Sequence, residues 1–131
     1  MSNVGIVLVS HSMKLASGLS ELLDQIQQDV PIAAAGGTSE DGIGTDAFRI
    51  KEAIESVYTD KGAVVLFDLG SALLNAEMAL ELLPDFNDVR IADAPLVEGA
   101  YAAVIQSGIG GTVEEVAAAA EEAKKLEKIT R

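Results

Sequence analysis

Short apolar runs rich in valine and isoleucine take turns with helix-spaced apolar stripes along this sequence, four times over. Val4 to Val9 (VGIVLV) is nearly continuous and ends in the polar Ser10-His11-Ser12, the length and borders of a strand buried on both faces. Leu15, Leu19, Leu22, Leu23 and Ile26 follow at helical spacing, one stripe of a helix ended by Asp29 and Pro31. Ile32 to Ala35 is a second run, leading into Gly36-Gly37-Thr38 and an exposed loop with glycines at 42 and 44. Ala47, Ile50, Ile54 and Val57 then repeat in helical steps behind Thr45 or Asp46, either of which suits an N-cap.

The exchange continues with Ala63 to Phe67 (AVVLF), closed by Asp68-Leu69-Gly70-Ser71, and a helix from about Ser71 to Leu83 that stops before Pro84. Val89 to Ala92 is a fourth run. Val97, Tyr101, Val104 and Ile105 mark another helix, ended by the glycines at 108, 110 and 111. Thr112 and Glu115 have capping-box spacing ahead of a final alanine-rich helix, where Glu121 and Lys125 stand at i, i+4. Strand and helix in this alternation mean parallel strands joined by right-handed crossovers. The pattern predicts an α/β fold: a doubly wound open parallel sheet of order 2-1-3-4 with helices on both faces. With 131 residues, 49% of them hydrophobic, the chain has the material for one core and is expected to form a single domain over residues 1–131. Val116, Ala120 and Ala123 give the last helix a narrow small-residue face, suited either to a partner subunit or to closing the monomer.

Charge and composition remove whole classes of function. Nine Lys plus Arg against 21 Asp plus Glu leave a net charge of −12, which disfavours a nucleic acid backbone or an anionic membrane surface as partner. There is no cysteine, so disulfides, thiolate catalysis and cysteine metal sites are excluded. A single histidine rules out a His-rich metal cage. No apolar run approaches the length of a membrane span, and no basic stretch precedes the first one as in a secretory signal. A soluble, cytoplasmic protein is the expectation.

In open α/β sheets ligands bind beyond the carboxyl ends of the strands, where the winding reverses. For order 2-1-3-4 that crevice lies between strands 1 and 3, which end at Ser10-His11-Ser12 and at Asp68-Leu69-Gly70-Ser71. The only histidine therefore falls at the crevice. A lone histidine is commonly just a hydrogen-bonded surface residue, and Asp68 or Ser71 would also serve as a plain N-cap. Position favours function for His11: an aspartate accepting from one ring nitrogen fixes the tautomer and leaves the other nitrogen free as a nucleophile. Gly36-Gly37-Thr38 is either a simple turn or a backbone that offers N–H groups to phosphoryl oxygens.

Missing motifs narrow the chemistry. Gly37 to Gly42 has a P-loop-like interval, but Ile43 stands where a lysine is needed, and no Gly-x-Gly-x-x-Gly follows strand 1. There is no Gly-x-Ser-x-Gly elbow. Asp68 alone is too few carboxylates for a metal beside His11, so no metal is expected. A histidine nucleophile, one orienting acid and nearby hydroxyls remain. Imidazole forms a reactive phosphoramidate, suited to passing phosphate onward, and the site reads as a relay.

At these residues the sequence resembles a known family. Ser10-His11-Ser12-x-x-Leu15-Ala16-x-Gly18, Ala34-Ala35-Gly36-Gly37-Thr38, Gly44-Thr45, Leu66-Phe67-Asp68-Leu69-Gly70-Ser71-Ala72 and Ala94-Pro95-Leu96-Val97-Glu98-Gly99-Ala100 are similar to the phosphoryl-donor subunits of phosphotransferase-system-dependent dihydroxyacetone kinases. A more distant resemblance is to the IIA domain of mannose-type sugar transporters, whose fold is the one predicted here. The resemblance implies that His11 accepts a phosphoryl group from the phosphocarrier HPr, which is charged from phosphoenolpyruvate through Enzyme I. It implies that Asp68 bonds the other His11 nitrogen and that Gly37, Thr38 and Ser71 line the phosphoryl pocket. The implied acceptor is ADP on a separate nucleotide-binding kinase subunit, so this chain would bind no cofactor itself; a homodimer is implied as well. Some family members carry further carrier domains, which this chain is expected to lack.

Two rival readings come from the same residues. A receiver-like domain phosphorylated on Asp68 needs an acidic pair after strand 1 and a lysine after a fifth strand, and the sequence offers neither. A flavodoxin-like module for a phosphorylated ligand would use His11 as a mere contact, but with 4% aromatic residues and no tryptophan a flavin stack is poorly supplied.

Overall fold

The computed structural model describes residues 2–130. Four strands, β1 (Gly5–Ser10), β2 (Ile32–Gly36), β3 (Ala63–Phe67) and β4 (Val89–Ile91), form one sheet of order β2-β1-β3-β4, and every pairing is parallel. The helices are α1 (Met13–Ile26), α2 (Ala47–Val57), α3 (Ala72–Glu81), α4 (Leu96–Gly108) and α5 (Val113–Glu122), with a 3-10 turn at Ala123–Lys125.

Side chains alternate across a strand, and β1 shows it cleanly. Ile6 and Leu8 face one core, shared with Leu19 and Leu23 of α1, Val104 of α4, and Val116 and Ala120 of α5. Val7 and Val9 face the other, against Ile50, Ile54 and Val57 of α2 and Ala72, Ala76 and Ala79 of α3. All six residues of β1 are buried, as a central parallel strand requires. Burial of each such aliphatic side chain stabilises the fold by about 1.5–3 kcal/mol.

The sheet is the predicted one, and the order places the winding reversal between β1 and β3. Register then decides where the connecting turns meet. Ser10 pairs with Gly36 and Val9 with Phe67, so β1 and β2 end level and β3 ends one residue before them. The next residues, His11, Gly37 and Asp68, leave the sheet side by side.

Several element-level expectations need correction. On α1 the buried positions are Ala16, Leu19 and Leu23, whereas Leu15, Leu22 and Ile26 are largely exposed, with Leu22 at 54%. On α4 the buried face is Leu96, Gly99, Ala100, Ala103, Val104 and Ser107, not the stripe through Val97, Tyr101 and Ile105. Size explains this better than hydrophobicity: a Cβ on Gly99 would stand 2.8 Å from the Ala94 Cβ and 3.0 Å from Leu66 Cδ2, so the helix packs by its small side. The small-residue face of the last helix closes the monomer, since Val116, Ala120 and Ala123 are all buried within the chain. Glu121 and Lys125 do not pair: Glu121 accepts from the Asp93 N–H and Lys125 bridges to Glu122. The capping box of Thr112 and Glu115 is present in both its bonds, and Asp46, not Thr45, caps α2. No helix among the described residues is long and apolar enough to cross a membrane.

Candidate functional site: a histidine–aspartate–serine cluster at the switch point

His11 stands in the turn between β1 and α1, held at both its backbone groups. Its N–H donates to Asp68 Oδ2 at 3.0 Å, and its carbonyl accepts from the Gly44 N–H at 2.8 Å. The ring is fixed at both nitrogens too. Nδ1 lies 2.9 Å from Asp68 Oδ1, and Nε2 lies 2.9 Å from Ser71 Oγ. With Asp68 ionised, Nδ1 carries the proton, and the Ser71 hydroxyl donates to the bare Nε2. The histidine and aspartate side chains keep 21% and 16% of their exposure, so the cluster is sheltered but reachable.

Asp68 follows β3 directly, and each of its oxygens accepts two hydrogen bonds. Oδ2 takes the His11 N–H and the Ser10 hydroxyl at 2.8 Å; Oδ1 takes His11 Nδ1 and the Leu69 N–H at 2.7 Å. Burial alone would push its carboxyl up, but the donors from His11, Ser10 and Leu69 outweigh it and hold the group below its ordinary 3.8. A charged, fully bonded carboxylate orients the imidazole and has no lone pair left for attack on phosphorus.

Neither residue suspected of capping α3 does so. Ser71 occupies the N-cap position without a side-chain cap bond, because its hydroxyl is on His11 Nε2. Asp68 is committed to His11, Ser10 and the Leu69 N–H, which lies ahead of α3. The consequence is that the positive end of the α3 dipole lies beside Nε2, where a phosphoryl group would bring negative charge.

The glycine loop packs around the cluster without bonding the ring. Gly36 ends β2 hard against α1: a Cβ there would lie 2.7 Å from the Met13 Cα. The Gly37 N–H donates to the Ser10 carbonyl, and the Thr38 N–H and Oγ1 are both bonded to Gly42. These N–H groups therefore build the loop itself. Asn75 of α3 ties the loop down by donating to Thr45 Oγ1 at 2.7 Å, and Arg49 does so through the Gly36 carbonyl.

The sequence pointed to His11, Asp68 and Ser71, and the structure brings those three together. Ser10, Gly44 and Asn75 complete the arrangement and were assigned no part in it. Ser10 had its place beside His11 as a signal, whereas nothing in the pattern of α3 marks Asn75 as a loop anchor. No group of three His, Cys, Asp or Glu side chains among the described residues is placed to hold a metal ion. A groove of about 490 Å³ starts beside the cluster at Phe67 and Gly70 and runs along Leu73, Glu77, Ile91 and Asp93 without including His11.

A parallel sheet with this cluster at its switch point defines a domain of the mannose-type EIIA class, and the family described as PTS system fructose IIA component (EIIA-man) matches residues 5–117. Among curated proteins, the chain is 40% identical over 116 residues to the phosphoryl donor subunit DhaM of PEP-dependent dihydroxyacetone kinase 2 from Listeria innocua, covering 86% of this chain and 93% of that protein. It is 44% identical over 119 residues to the phosphoryl donor subunit DhaM of Escherichia coli and 43% identical over 126 residues to that of Providencia stuartii. Those matches cover 86% and 92% of this chain respectively, which spans only about a quarter of the length of either relative. The chain belongs to the EIIA-man family and, within it, to the group of phosphoryl donor subunits named DhaM. Among solved structures, a protein of unknown function superimposes with a TM-score of 0.80 at 33% identity, covering 93% of this chain and 95% of that one. The phosphotransferase system component EIIA of Streptococcus agalactiae shares the fold, with a TM-score of 0.67 at 17% identity over 95% of this chain and 96% of that one.

Proposed function

We propose that this chain is a phosphohistidine relay, a single phosphocarrier domain that takes a phosphoryl group from phospho-HPr on His11 and hands it to ADP. The observation that carries this reading is the two-sided hold on the His11 ring, with Asp68 on Nδ1 and Ser71 on Nε2. Nε2 attacks the phosphorus of the incoming phosphohistidine; one P–N bond forms as the donor's breaks. Asp68 stabilises the positive charge that the ring acquires, and Ser71 with the N-terminus of α3 receives the phosphoryl oxygens. Gly37 and Thr38 shape the loop that borders the pocket. In the second half a terminal phosphate oxygen of ADP attacks, the P–N bond to His11 breaks, and ATP forms on the nucleotide-binding subunit of dihydroxyacetone kinase.

The relatives' role as phosphoryl donors supports the reading. So does the site's surface: Ile43, next to the loop contact on His11, is 80% exposed, and Leu69, next to Asp68, is 59% exposed. Apolar side chains standing free around a shallow nucleophile suit a phosphoryl group delivered by another protein. In this reading the chain works in the cytoplasm as a homodimer and needs no cofactor of its own.

The test is intact mass after incubation with phosphoenolpyruvate, Enzyme I and HPr. One added phosphate, lost in acid and kept in alkali, is expected on the native chain and none on His11→Ala. An alkali-labile phosphate would point to an aspartyl phosphate instead, and phosphate retained in His11→Ala would end the proposal.

A further inference from the structure

Ser10 is the last residue of β1 and has no exposed surface. Its hydroxyl makes two hydrogen bonds, donating to Asp68 Oδ2 at 2.8 Å and accepting from the Ser12 N–H at 3.0 Å. A buried hydroxyl left without partners is costly, so these bonds fix its rotamer. Neither bond touches the imidazole, yet one ends on the carboxylate that orients it. We propose that Ser10 is a positioning residue for the phosphoryl step: it clamps one oxygen of Asp68 so that the other faces His11 Nδ1. The inference rests on the reading of His11 as the phosphoryl acceptor.

The physical case is the freedom of an aspartate's last torsion. Rotation about the bond to the carboxylate is soft and broad, and a carboxylate free to turn presents its oxygens to Nδ1 in changing directions. Here the plane is pinned from both ends. The Leu69 N–H holds Oδ1, while Ser10 and the His11 N–H hold Oδ2. Removing the serine hydroxyl leaves Oδ2 with a single donor from a residue that itself belongs to the site. The Ser12 bond adds a second link, since Ser12 caps α1 by accepting from the Leu15 N–H. One hydroxyl thus ties the end of β1, the start of α1 and the carboxylate after β3 into a fixed triangle. Position also argues for this role. Ser10 is the last residue of β1, beside the turn after β3, so its hydroxyl reaches Asp68 and the start of α1 at once.

Ser10→Ala tests the clamp in the full chain, with Ser10→Thr as the variant that restores a hydroxyl. Two readouts distinguish positioning from bulk stability. The first is the rate of phosphorylation by phospho-HPr at varied carrier concentration. Ser10→Ala is expected to lower the maximal rate roughly tenfold with the half-saturating carrier concentration unchanged, and Ser10→Thr to recover most of it. The second is the nitrogen NMR spectrum of the single imidazole at neutral pH. The native ring should show one tautomer, protonated on Nδ1, and Ser10→Ala a mixture. A folded Ser10→Ala protein with native rate and a native tautomer overturns the proposal. So does a rate loss that only tracks the unfolded fraction, with the tautomer unchanged. If the native chain takes no phosphate at all, the acceptor reading falls, and the tautomer comparison still decides the clamp.

Discussion

Asp68 gathers four donors on two oxygens at the residue scale, and its acidity is the measurable result. A carboxyl held below its ordinary 3.8 in the folded chain binds its proton less readily there than when unfolded. Its contribution to stability is therefore complete above the unfolded value and is lost as pH falls through the folded one. Asp68→Asn should flatten the acid limb of Tm against pH below about pH 4; an unaltered limb would show that the four bonds favour the charged form no more than water does. The same variant, at neutral pH, should slow phosphorylation by roughly two orders of magnitude, since an amide no longer selects the Nδ1–H tautomer. The closeness of His11 and Asp68 was legible because each sits just past the end of a predicted strand, where chain topology alone fixes proximity; a part for Ser71 beyond that of an N-cap came only with the family resemblance. Ser10 was not legible, because the same topology leaves open whether a residue at a strand's last position turns inward or out. Asn75 was not legible either. It lies thirty residues from the Thr45 it holds, and an amide on a helix carries no mark of its partner.

At the scale of elements, the boundaries drawn by glycine, proline and capping residues were readable, and so was the face of α2, where Ala47, Ile50, Ile54 and Val57 are buried as their spacing predicts; the faces of α1 and α4 were readable only in part. Thr112 and Glu115 announce α5 through a local exchange of hydrogen bonds that needs no tertiary context. Thr112→Ala should accordingly cost about 1 kcal/mol, read as a shift in urea midpoint with phosphorylation intact. The faces of α1 and α4 depend on what lies opposite, and there the largest apolar side chains misled. α4 buries Gly99, Ala100 and Ala103 and leaves Val97 (49% exposed) outside, because close approach to β3 and α5 requires small residues. Leu8, at the centre of β1, packs fully buried against that side of the sheet. Leu8→Ala should destabilise by about 2–5 kcal/mol, measured by chemical unfolding; a cost below that range would mean the helices collapse into the gap.

Across the whole molecule, a net charge of −12 creates a field that reaches partners before contact. If the incoming carrier presents a basic face, the second-order rate of phosphorylation should fall roughly tenfold between low salt and half-molar salt, while the maximal rate changes little. A rate indifferent to salt would assign docking to Ile43, Leu69 and their apolar neighbours instead. The oligomer is a separate question with a direct answer: sedimentation at micromolar concentration should give twice the chain mass under the proposed reading, and a single-chain mass would remove the homodimer.

The meeting of the turns after β1 and β3 has a consequence for a chain still leaving the ribosome. His11 is made before its partners: the carboxylate on its Nδ1 and the hydroxyl on its Nε2 come 57 and 60 residues later. Until β3 has paired with β1, the imidazole has neither. Under the proposed reading, a nascent or clipped chain thus carries the nucleophile without its alignment and should draw little phosphate from its carrier. Competence arrives together with the third strand.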